Sequence, residues 1–141
     1  MATTTATITL ASSDIADNSF SVSNTATLTD VGTATGVTKT TGLSRIETSA
    51  TTNVVLFDSG ESTSIAGTGA ITKGKIFIQN LNDRDGSGAK YVTVLLGTVE
   101  IGRLYGGDWM FCPWDGGAGN DLEITPSSTT DTTLEYIMFY E

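Results

Sequence analysis

Hydrophobic and polar positions alternate along residues 73–141 in short runs: KGKIFIQN, KYVTVLL, VEIGRLY, GDWMFCPW, DLEIT and TLEYIMFYE, parted by Gly, Asn and Asp. A period of two sends successive side chains to opposite faces of a pleated backbone, so each run predicts a β-strand and none predicts a helix. Weaker alternation in Thr5–Leu10 and Phe20–Ser23 extends the reading to strands at 3–10, 18–29, 43–50 and 53–58. Gly32, Gly36, Gly42, Gly60, Gly67 and Gly69 punctuate the gaps, as turns with positive φ require.

Several of these strands are apolar on both faces. Ile76 and Ile78 oppose Phe77 and Gln79, Val92, Val94 and Leu96 oppose Tyr91, Thr93 and Leu95, and Leu134–Tyr140 behaves alike. Such a strand is expected to be covered twice, by a second sheet and by something else, which in a small domain suits a neighbouring subunit. The pattern predicts an all-β, antiparallel sandwich over residues 18–141. Residues 1–17 are expected to form an extended N-terminal arm, because Met1, Ile8, Leu10 and Ile15 are too few to offset the ordering entropy of that stretch.

Composition narrows the chemistry. Thr and Ser number 39 in 141 residues and Pro only 2, which favours half-exposed strands over disorder. Sixteen acids against seven bases give a net charge of −9, which disfavours a nucleic acid, whose phosphates need Lys and Arg, and suits a cationic patch on a protein. No run nears the roughly 20 apolar residues that span a bilayer, and MATTTATITL lacks the basic and apolar regions of a secretory signal, so neither membrane nor export is expected. With no His and one Cys, no disulfide framework or strong metal site is expected, and no cofactor.

Three motifs fall short of their chemistry. Gly69–Lys75 matches the start of a phosphate-binding loop, but Ile76 stands where the magnesium-holding hydroxyl belongs and a strand pattern follows in place of a helix. Asn82–Gly88 has the flavour of a calcium loop, yet Leu81 and Val92 occupy its first and twelfth positions. It reads as a hairpin turn, and so does Asp115–Asp121. Asp108, Asp115 and Glu123 can act as a carboxylate pair only if the fold joins them, and Cys112 reads as an inert thiol with no His to activate it.

The sharpest local feature is Leu104–Trp114, where Trp109 and Phe111 share one face while Met110 and Cys112 share the other. Two readings stand side by side: rings that plug one end of the core, or anchors of an interface. Sugar stacking on an exposed Trp is a third.

Ile78-Gln79-Asn80, Lys90–Val94, Glu100–Leu104, Gly107–Phe111 and Thr133–Tyr140, taken in order, resemble the small β-rich virion proteins of tailed phages. The resemblance covers about residues 73–141. It implies a jelly-roll-like sandwich without catalytic or metal residues, made in the host cytoplasm and carried on the outer capsid surface as a decoration (cement) protein. The partners it implies are the major capsid protein or other virion proteins, and a head-fibre or tail component that binds a receptor or glycan is the alternative. A homo-oligomer, a trimer by preference, is expected to form through Tyr136, Met138 and Tyr140 or their opposite-face neighbours. Ile8, Leu10, Tyr105, Trp109 and Trp114 complete the expected partner-binding set.

Overall fold

A computed structural model describes residues 3–12, 20–29, 39–49, 52–59, 74–84, 90–127 and 131–140. The chain divides into two compact units, Met1–Thr38 and Lys39–Glu141. The division falls after Thr38 and not after Asp17, because the expected arm finds a pairing partner in its own chain.

The first unit holds β1 (Thr3–Ser12) and β2 (Phe20–Thr29), antiparallel over ten residue pairs without a bulge. Thr and Ser alternate along both strands, so the pleat gathers hydroxyls on one face. There Thr7 Oγ1 meets Thr25 Oγ1 at 3.1 Å and Thr9 Oγ1 meets Ser23 Oγ at 3.4 Å, cross-strand pairs of the kind that stabilise a ladder by a few tenths of a kcal/mol to about 1 kcal/mol each.

The second unit is a sandwich of two antiparallel sheets. One is ordered β5 (Val54–Phe57), β10 (Leu122–Pro126), β7 (Tyr91–Leu96), β8 (Val99–Tyr105). The other is ordered β3 (Lys39–Thr40), β11 (Thr132–Tyr140), β6 (Gly74–Asn80), β9 (Trp109–Trp114), with β4 (Ser44–Thr48) also on β11. β3 and β4 pair successive stretches of β11 and are parted by Thr41–Leu43, where Gly42 takes φ 76°. Thr41 bridges the gap: its amide donates to the Met138 carbonyl at 3.0 Å and its hydroxyl accepts from the Met138 amide at 3.1 Å.

Even-numbered residues of β4, β6, β9 and β11 face the opposing sheet. Ile76, Ile78, Leu134 and Met138 meet Val92, Val94, Leu122 and Ile124 there, all eight at 1% exposure or less. Burying each such side chain contributes about 1.5–3 kcal/mol. Phe57 spans the layers, with its ring centroid 6.0 Å from that of Trp114 and 5.5 Å from that of Tyr136.

Most connections cross between the sheets. Asp115–Asp121 joins β9 of one sheet to β10 of the other, and residues 81–90 likewise join β6 to β7, so neither segment is the hairpin turn its Asp and Gly suggested. Strands adjacent in sequence mostly lie in opposite sheets here, and a loop between them spans the core where a hairpin would span one strand spacing. Gly74 and Lys75, the last positions of the phosphate-loop match, are the first residues of β6. Residues 69–73 and 85–88 of the two motifs lie outside the described residues.

Candidate functional site

The outer face of the five-stranded sheet carries odd-numbered side chains in two registered rows. Ile137 lies opposite Phe77, and Phe77 opposite Phe111, an apolar row across β11, β6 and β9. Beside it Arg45, Glu135, Gln79 and Trp109 stand in line across β4, β11, β6 and β9. Neighbouring strands are about 4.8 Å apart, so this second row extends for about 14 Å. Trp109 is 49% exposed and its ring centroid lies 6.3 Å from that of Phe77, which ties the two rows together. Arg45 donates to Glu135 Oε1 through Nε at 3.1 Å and through Nη2 at 2.5 Å, so the charges at the far end of the row cancel.

Each expected contact residue now has a place. Trp114, Met138 and Tyr140 are core residues at 3%, 0% and 6% exposure, and Tyr136 is half-buried with its ring edge-on to Phe57. None of the four is a surface anchor: the even-numbered register of β9 and β11 turns them inward, and their opposite-face neighbours Ile137 and Phe139 look out instead. Trp114 is fixed further by donating its indole N–H to the Asn120 carbonyl at 2.9 Å. Trp109, Tyr105 and Leu10 are exposed, and Ile8 is half-buried in the hairpin. Phe77, Phe111, Gln79 and Arg45 were missed as site residues. The signal for the first two was the double apolar face already visible in their strands.

The other sheet exposes Val55 on β5 and Val99, Ile101 and Tyr105 on β8. Tyr91 and Tyr105 lie opposite each other in the β7–β8 ladder with ring centroids 5.3 Å apart. The Arg103 guanidinium sits 5.0 Å above the Tyr91 ring and donates to Glu100 at 3.1 Å, which raises its pKa above the ordinary value.

The three carboxylates that a catalytic pair would need are each occupied elsewhere. Asp108 pairs with Arg84 at 2.7 Å and accepts from the Tyr105 amide at 3.0 Å, Asp115 accepts from the Gly117 amide at 3.1 Å, and Glu123 accepts from Asn53 Nδ2 at 2.6 Å. Among the described residues no cluster of three or more His, Cys, Asp and Glu is placed to hold a metal. Cys112 faces the core from β9, and burial pushes its thiol pKa up, away from the reactive thiolate. Among the described residues the outer faces carry apolar area, aromatic rings and paired charges.

No protein-family model and no curated protein matches this chain.

Proposed function

We propose that this chain is a non-enzymatic virion structural protein of a tailed phage, a decoration subunit that sits on the outer capsid lattice and bridges neighbouring major-capsid subunits. The observation that carries the reading is the in-register apolar row Ile137–Phe77–Phe111 ending beside the exposed Trp109. A rigid sheet holds these groups at fixed spacing, and a preorganised aromatic anchor is the commonest source of interface energy. A subunit that touches several capsomers holds each with an effective concentration that single contacts lack.

The strand order supports a jelly-roll body. Counting β3 and β4 as one broken strand, the nine elements of the second unit act as eight, ordered first-eighth-third-sixth in one sheet and second-seventh-fourth-fifth in the other. That is two interleaved Greek keys, an arrangement found in viral capsid proteins and in lectins.

A head-fibre or tail component that binds glycan is the second reading, favoured by one feature: Trp109 stands in line with Gln79 and with the Arg45–Glu135 ion pair, a stacking ring beside a neutral carboxamide and a pair of charges that sum to zero. A cryo-EM map of the purified particle separates the two. Density for the sandwich at capsomer junctions, with the Trp109 face against the lattice, fits decoration, whereas density on the tail or a fibre fits the second reading. A chain absent from purified particles by mass spectrometry overturns both.

A further inference from the structure

In a chain with sixteen acids and seven bases there are carboxylates to spare, and the described bases mostly use them. Arg45 pairs with Glu135 at 2.5 Å, Arg84 with Asp108 at 2.7 Å and Arg103 with Glu100 at 3.1 Å, while Lys90 donates to the Asp131 carbonyl at 3.1 Å. Among the described basic side chains, Lys75 alone has no such partner.

Lys75 is half-buried on β6, on the outer face of the five-stranded sheet. Phe139 of β11 and Pro113 of β9 stand beside it in register, and the row Ile137–Phe77–Phe111 lies one step along the strands. The ammonium is therefore set in an apolar field. Carboxylates described on this side are turned elsewhere: Glu135 is two steps along and paired with Arg45, and Asp115, just past Pro113, accepts from the Gly117 amide at 3.1 Å.

While the face is bare, the methylene stem can lie on apolar surface and the ammonium stays in water. Covering the face removes that water. A charge buried without an opposite charge is strongly unfavourable, so whatever covers the apolar row must bring an anion to Lys75.

We infer that this face takes an extended segment of another virion protein in which an Asp or Glu meets Lys75 and a large apolar side chain, two residues away, packs on the row at Phe77. The inference rests on the decoration reading above and names the chemistry of its partner. The spacing comes from the sheet: Lys75 and Phe77 are two residues apart on β6, roughly 7 Å, which is also the distance between alternate residues of an extended partner. The surroundings favour a peptide over an acidic sugar. Phe139, Pro113, Ile137, Phe77 and Phe111 have no side-chain donor or acceptor, so sugar hydroxyls would lose their hydrogen bonds against them, whereas an apolar side chain loses none.

The test is binding of the full-length protein to purified particles that lack it, by co-sedimentation. Lys75→Met keeps an unbranched apolar stem and removes the charge, and is expected to bind about tenfold more weakly or worse. Lys75→Arg, which restores the charge, should recover most of the affinity. Lys90→Met, the same charge change elsewhere, should bind as wild type does, and equal thermal melts of all variants show that the fold is intact. Carbodiimide treatment of the loaded particles should join the Lys75 amine to a carboxylate by an amide bond, and mass spectrometry of the joined peptides should show an Asp or Glu of another virion protein with a large apolar residue two positions away. Wild-type protein that binds no particle overturns the decoration reading and this inference with it. Wild-type protein that binds while Lys75→Met binds equally well overturns the inference alone. So does a Lys75 that is left unjoined or joined only to a second copy of this chain, or particle binding that an acidic polysaccharide abolishes in wild type but not in Lys75→Met.

Discussion

The side-chain amide of Asn80 donates to the main-chain carbonyl of Leu104 at 2.9 Å, tying the end of β6 in one sheet to β8 in the other. Asn80 is fully buried, and its side-chain oxygen accepts from the Asn82 amide at 3.0 Å and from Asn82 Nδ2 at 2.6 Å. Its own backbone is held by the β8–β9 turn, donating to the Asp108 carbonyl and accepting from the Gly107 amide, both at 2.9 Å. One residue thereby closes this end of the sandwich. Asn80→Leu leaves a buried carbonyl and amide unpaired and is expected to lower the unfolding free energy by about 2–4 kcal/mol, read by urea titration. A loss below about 0.5 kcal/mol would mean that the contacts are dispensable.

The two tryptophans should respond in opposite ways to truncation. Trp114→Ala opens a cavity beside Phe57 and strands the Asn120 carbonyl, with an expected loss of about 3–5 kcal/mol. Trp109→Ala removes a half-exposed ring and should shift stability by less than about 1 kcal/mol while weakening attachment to particles. Thermal melts and particle co-sedimentation of both variants check the contrast, and equal melts would contradict the inward register of β9.

Gly106 tests the tightness of the β8–β9 turn. A Cβ there would lie 2.4 Å from the Asn82 carbonyl oxygen, backbone that cannot swing away, whereas one at Gly102 would meet nothing within 4 Å. Gly106→Ala is therefore expected to cost about 2 kcal/mol or more, and Gly102→Ala to be neutral or slightly stabilising, by calorimetry of the two proteins side by side.

Asp121 links stability to acid. Its carboxylate accepts from the hydroxyl and the amide of Ser59, the latter at 2.8 Å, and these bonds hold its pKa below the ordinary value. A folded-state value below the unfolded one stabilises the fold at neutral pH, and this contribution fades as pH drops below about 4 and the carboxylate protonates. Asp121→Asn keeps an acceptor oxygen but cannot titrate, so the fall in melting temperature between pH 7 and pH 3 should be smaller than in wild type. An unchanged fall would remove Asp121 from the acid response.

Burial at Cys112 should also be measurable. With its thiol facing the core and its pKa raised, reaction with a thiol reagent at pH 8 is expected to run at least about tenfold slower in the native protein than in denaturant. Equal rates would place the sulfur at the surface.

Local alternation was enough to locate the strands. The run Lys73–Asn80 became β6 over Gly74–Asn80, Val99–Tyr105 became β8 without change, and even the faint Thr pattern of 3–10 became β1 over Thr3–Ser12. Strand formation at these sites needs only β-branched or aromatic residues at a period of two, a property of neighbours in sequence. The two-residue β3 escaped because Lys39–Thr40 is too short to show a period. Alternation also separated Trp109 and Phe111 from Met110 and Cys112 correctly, but it does not say which set faces the core. Both faces of β9, β6 and β11 are apolar, so hydrophobicity alone is nearly degenerate between them. The choice belongs to tertiary packing: Ile76, Ile78 and Met138 are buried with Val92, Val94, Leu122 and Ile124, while Phe77 and Phe111 are left partly exposed on the outer face. Strand order lay beyond the sequence for the same reason: the pairing of β4 with β11 joins Ile46 to Leu134, residues at opposite ends of the sandwich sequence, and no local pattern records a contact that only closure of the core creates.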